Sequence, residues 1–117
     1  MSVLLFMKMD LGVEKDNFDE VIENAFDESG VKRMLGLPTL QWKIWGTDPV
    51  KREGCGCYLF ADRKAAEVYA AQAVSMLGSR EGVTNVTAQI WTISEEQTRI
   101  TKGPIDLPMI SELQASV

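Results

Sequence analysis

The sequence predicts an α+β fold in which four strands and two helices follow one another as βαββαβ, the ferredoxin-like order, with the strands joined in one antiparallel sheet. The apolar pattern switches between period two and period 3.6 at glycine- and aspartate-marked boundaries. A length of 117 residues, 45% of them apolar and 25% charged, supports one hydrophobic core and leaves little room for disorder. A single domain over residues 1–117 is therefore expected, with its core over about 1–93 and a C-terminal helix and extended tail over 94–117.

Val3 to Met9 is a β-rich apolar run closed by the turn-like Asp10-Leu11-Gly12. A helix begins near Asp16, where Asp16 or Asn17 can cap it. Phe18, Val21, Ile22, Ala25 and Phe26 then form an apolar stripe at i, i+3, i+4, i+7 and i+8. Gly30 interrupts the stripe, Val31, Met34 and Leu35 continue it, and Gly36 with Pro38 ends it. Leu40 to Trp45 reads as a strand joined to Cys55 to Phe60 by a long hairpin loop over 46–54. Asp62 caps a second helix whose Ala65, Ala66, Tyr69, Ala73, Met76 and Leu77 line one side until Gly78. The fourth strand is Val83 to Ile93. Ser94 and Gln97 then suggest a capping box on a short helix, followed by a Gly103, Pro104 and Pro108 tail that packs on the body or on a partner subunit.

The formal charge of −5 opposes nucleic acid and anionic membranes, and the absence of histidine removes the commonest general base, metal ligand and haem ligand together. Cys55 and Cys57, two apart on one strand, have Cα atoms roughly 6.5–7 Å apart and side chains pointing the same way. They read as free thiols, and with no membrane-length apolar run the expected setting is the cytoplasm. Acids on the first helix read as a solvated face, so no metal site is expected. Glu53 to Phe60 has the placement of an RNA-recognition strand, but cysteines stand where stacking aromatics belong and an acid replaces the cation.

Strand alternation sorts the sheet into two sets. Leu5, Met7, Met9, Leu40, Trp42, Ile44, Cys55, Cys57, Leu59, Val86, Ala88 and Ile90 are expected beneath the helices. The complementary set, Phe6, Lys8, Gln41, Lys43, Trp45, Tyr58, Phe60, Thr87, Gln89 and Trp91, mixes large aromatics with amides and ammoniums. A face of that kind needs a cover. A homodimer packed through it would enclose an apolar small-molecule pocket between two sheets.

Leu40-Gln-Trp-Lys-Ile-Trp45, Gly54-Cys-Gly-Cys-Tyr-Leu-Phe60, Ala61-Asp62 with the alanine-rich helix to Leu77, and the final strand Val86 to Trp91 resemble the YdhR-type putative monooxygenases. Gly54-Cys55-Gly56-Cys57 departs from the aliphatic residues common in that family. The resemblance implies a dimeric α+β barrel, a superfamily of cofactor-free oxygenases, haem-degrading enzymes, isomerases and cyclases, and the missing histidine argues against haem degradation. It implies an oxygenase without cofactor, whose electron-rich aromatic or polyketide-like substrate is deprotonated and reacts with dioxygen. Lys43, Lys8 and Tyr58 are the catalytic candidates. Phe6, Gln41, Trp45, Phe60, Gln89 and Trp91 are the substrate-binding candidates, the aromatics by stacking and the amides by holding oxygens. A non-redox cyclase or isomerase in the same pocket, or a binding protein without catalysis, fits the same residues.

Overall fold

Period-two apolar residues in the first strand bury every second side chain, and they do so here over the whole of β1. In a computed structural model that describes residues 2–12 and 28–111, β1 (Val3–Leu11) holds Val3, Leu5, Met7, Met9 and Leu11 under the helical layer. The other elements are α1 (Glu28–Leu35), β2 (Leu40–Asp48), β3 (Glu53–Phe60), α2 (Arg63–Gly78), β4 (Val83–Thr92) and α3 (Glu95–Ile100). The sheet is antiparallel throughout with order β2-β3-β1-β4, the ferredoxin-like arrangement. The helix expected from Asp16 lies outside the described residues, but α1 carries the continuation through Val31, Met34 and Leu35.

The hairpin is tighter than the glycines and polar residues between its strands suggest. β2 and β3 run on to Asp48 and from Glu53, leaving a four-residue turn. The Asp48 carboxylate accepts from the amides of Val50 and Lys51, and Arg52 closes the turn at φ 57°. Asp62 caps α2 as expected, accepting from the Ala65 amide at 3.0 Å. Ser94 precedes α3 but makes no side-chain cap bond, so the expected capping box does not form.

The tail packs on its own sheet. The Trp42 indole donates to the Pro104 carbonyl and the Gln41 amide to the Leu107 carbonyl, both at 2.8 Å, while Ile105 is buried. Arg99 makes bidentate bonds to Asp106, which bends the chain back after α3.

The two expected faces are correct for β1 and β4 and wrong for β3 and most of β2. Directly opposed residues share a face, and Leu5 opposes Tyr58, Val3 opposes Phe60 and Met7 opposes Gly56. Tyr58 and Phe60 therefore lie under the helices, and Cys55, Cys57 and Leu59 lie on the other side. In β2, Leu40 opposes Phe60 but Trp42 opposes Leu59, so Gln41 is an extra residue, a β-bulge. Beyond it Lys43 and Trp45 turn under the helices and Trp42 and Ile44 turn away. Both alternating sets of β3 are apolar, so alternation alone leaves the register open. The decision falls to volume: glycines at 54 and 56 make room for the side chains around them, and Tyr58 and Phe60 fill the space against α2.

Register makes a stability prediction. A Cβ at Gly54 would stand 2.6 Å from Leu11 Cδ1 in the packed interior. Gly54→Val should destabilise by about 1–3 kcal/mol in urea unfolding, whereas Cys57→Val on the open face should change stability by less than about 1.5 kcal/mol. The reverse order would restore the cysteines to the core.

Candidate active site

β2, β3, α1 and α2 enclose a cavity of about 210 Å³ between the sheet and the helices of a single chain. It lies on the helical side and not on the face expected to meet a second sheet, because the bulge and the β3 register carry Lys43, Trp45 and Tyr58 there.

Gly56 forms part of the floor. A Cβ there would fall 2.9–3.1 Å from the Tyr58 ring, the Tyr58 hydroxyl and the Lys43 side chain, so its absence is what lets those two side chains lie together. Lys43 Nζ stands 3.3 Å from the centroid of the Trp45 ring and 4.6 Å from that of Tyr58. Nζ also donates to Met34 Sδ at 3.9 Å. Burial lowers the Lys43 ammonium to about 7, while the two ring faces offset part of the lost hydration.

Tyr58 and Tyr69 share a hydroxyl–hydroxyl bond of 3.1 Å, and the Tyr69 hydroxyl also reaches Met34 Sδ at 3.6 Å. With Phe60 the two tyrosines form a packed aromatic group whose centroids lie 5.1–6.1 Å apart. Burial raises both phenols, and at Tyr58 the neighbouring Tyr69 adds to the rise. Both therefore stay protonated at neutral pH and act as donors or acceptors rather than as bases. The rest of the lining is largely apolar and flexible, with Met9, Met76 and Leu77, and carries Gln72, Arg33 and Arg80.

The expected site residues divide between the two sides of the sheet. Lys43, Trp45 and Tyr58 meet in the cavity. Phe60 is beside them but is fully buried as core, in contact with Tyr58 and Tyr69 rather than with the cavity. Phe6, Lys8, Gln89 and Trp91 lie on the opposite face, where Phe6 opposes Gln89 and Leu4 opposes Trp91. Lys8 is committed there to an ion pair with Glu53 at 2.6 Å, and that carboxylate raises its pKa. Gln41 holds the tail from the bulge.

The lining residues contributed by the helices escape a reading by strand alternation. Tyr69 sits in the alanine stripe of α2, where a lone phenol that needs a hydrogen-bond partner is the available signal. Met34 shows in the sequence only as a member of the apolar stripe, and Gln72, Arg33 and Arg80 carry no signal. Among the described residues no group of three or more His, Cys, Asp or Glu side chains is placed to hold a metal ion, and no helix is long and apolar enough to cross a membrane. Cys55 and Cys57 are free thiols, and burial raises that of Cys57.

Solved structures share this fold at low sequence identity. A monooxygenase from the gene ActVA-Orf6 of Streptomyces coelicolor, in complex with Nanaomycin D, superposes with a TM-score of 0.57 at 12% identity, over 79% of this chain and 87% of that one. SnoaB, a cofactor-independent oxygenase from Streptomyces nogalater, gives 0.54 at 8% identity over 80% and 93%. A dimeric ferredoxin-like protein from an uncultured marine organism gives 0.56 at 14% over 80% and 95%. No curated protein sequence matches the chain. The family model described as "Putative mono-oxygenase ydhR" matches residues 6–104, most of the length, and the chain belongs to that family.

Proposed function

We propose that the protein is a cofactor-independent monooxygenase of an electron-rich, ionisable aromatic or polyketide-like molecule bound between sheet and helices. The observation that carries this reading is Lys43: a lysine set between two aromatic rings in an apolar cavity and ionising near neutral pH.

Neutral Lys43 takes the proton of a phenol, and the ammonium so formed stays beside the phenolate. Electron density at a ring carbon then adds to dioxygen, which is reduced to a peroxide as the carbon–oxygen bond forms. Lys43 returns its proton to the outer peroxide oxygen. It next removes the hydrogen on the oxygenated carbon while the oxygen–oxygen bond breaks, and the departing hydroxide takes that proton from Lys43 and leaves as water. The products are a quinone and one water; the substrate has supplied all the electrons, and Lys43 is again neutral. Tyr58 and Tyr69, held protonated, donate to the oxygen anion, and Trp45 stacks on the ring. The two free thiols, Cys55 and Cys57, fit a reducing, cytoplasmic setting.

The same reading includes a homodimer of single-domain chains. The sheet face away from the helices presents Phe6, Ile44 and Trp91, with Ile44 59% and Trp91 55% exposed. The marine neighbour described above is dimeric, which supports pairing, and the exposed aromatic residues are the reason to place the contact on this face.

With 1,5-dihydroxynaphthalene as substrate, one dioxygen should be consumed for each 5-hydroxy-1,4-naphthoquinone formed. Product without oxygen uptake would replace oxygenation by a non-redox reaction, and tryptophan quenching without product would replace it by binding alone. Turnover should rise with pH through an apparent pKa of about 7, and Lys43→Met should lower it by about 10²-fold or more.

The same titration should appear in stability. The native pKa lies below the unfolded one, so between the two the unfolded chain binds more protons and stability rises with pH. Lys43→Met should therefore melt higher than the native protein at pH 7, with the difference shrinking towards pH 10. For the dimer, light scattering at micromolar concentration should give twice the 13.0 kDa chain mass, and Trp91→Asp should shift the protein to monomer.

A further inference from the structure

Among the described residues, the charged side chains that line the cavity are all of one sign. Lys43, Arg33 and Arg80 line it, and among the described lining residues there is no aspartate or glutamate. This occurs in a chain whose acids outnumber its bases by 17 to 12. The long-range field of the molecule therefore repels an anion, while contact with Arg33 and Lys43 inside the cavity favours one. At physiological salt the net charge is screened beyond about 8 Å, and the groups in direct contact decide.

Arg33 is placed to make that contact. It is exposed on α1, and its Nη1 crosses to Met76 Sδ of α2 at 3.9 Å, so the guanidinium spans the opening between the two helices. Its charge also reaches the Tyr69 hydroxyl, whose pKa it pulls down against the effect of burial. Sulfur is a weak acceptor and leaves most of the five guanidinium donors for another partner. A planar fork of N–H donors over an apolar cavity is the geometry that binds a carboxylate through two bonds. Lys43, deeper and between two rings, is left for a neutral hydroxyl that ionises during reaction.

We propose that the molecule taken into this cavity is an aromatic carboxylic acid, its carboxylate held by Arg33 at the opening and its ring inside between Trp45 and Met76. This rests on the cavity being the substrate site and adds the class of substrate. Arg33 is a specificity-determining residue, and the chemistry at Lys43 does not pass through it.

The test uses two probes of one shape, 6-hydroxy-2-naphthoic acid and its methyl ester, whose hydroxyl and carboxyl groups stand at opposite ends of the ring system. Binding is followed by probe fluorescence with the full-length protein, without turnover. The acid should bind about tenfold or more tightly than the ester, and added NaCl should weaken the acid alone. Arg33→Gln should bring the acid down to the affinity of the ester and leave the ester unchanged. Arg33→Lys, which keeps the charge but loses the fork, should fall between. Equal binding of acid and ester by the native protein, or equal weakening of both by Arg33→Gln, would overturn the assignment. Acid-selective binding by a protein that consumes no oxygen would leave it standing and remove the oxygenase reading instead.

Discussion

Strand side chains alternate strictly, so the single residue inserted at Gln41 turns everything after it in β2 to the opposite side of the sheet. Without the bulge, Lys43 and Trp45 would stand on the face with Phe6 and Trp91, and Trp42 and Ile44 would fill the space under the helices. The cavity would then be an apolar pocket with no titratable amine. Its chemistry thus depends on a local feature of the backbone as much as on which residues are present. Gly56 completes the arrangement, since any side chain there would occupy the space in which Lys43 and Tyr58 lie together.

The buried amine is held by opposing effects. Taking an ammonium out of water is costly, and a compensating carboxylate would fix it in the charged form. None stands among the described lining residues. Contact with two aromatic faces returns only about 0.5–2 kcal/mol, too little to cancel the loss of hydration. The amine is therefore left close to the balance between its two protonation states. The tyrosine pair beside it is pushed the other way: burial keeps both phenols neutral. One small volume thus contains a group that can accept a proton at neutral pH and two hydroxyls that cannot lose one.

Most of the architecture was legible in the amino-acid order because it rests on periodicity and capping. The four strands, the Asp62 cap and the continuation of the helical pattern to Leu35 each have a direct local signal. The faces of β1 and β4 were legible for the same reason, since only one alternating set in β1 is uniformly apolar. β3 offers two apolar sets, and the choice between cysteines and large aromatics is made by volume against α2, a tertiary quantity. The bulge at Gln41 has no local signal, and its effect is to split the expected site. Lys43, Trp45 and Tyr58 could be named as a group because they moved together, whereas Phe6, Lys8, Gln89 and Trp91 stayed behind. Tyr69 and Arg33 come from helices, whose packing onto the sheet is not written in strand alternation.

The anchoring of the bulge gives the C-terminal segment a role at a distance. Gln41 and Trp42 are fastened to the carbonyls of Leu107 and Pro104, and the Arg99–Asp106 clamp holds that segment in its bend. Severing the chain after Gly103 would touch no residue of the cavity, yet it would remove the fastenings that distinguish one strand register from its neighbour. The tail is in effect a latch on the phase of β2, and the shape of the cavity is maintained by residues that do not line it.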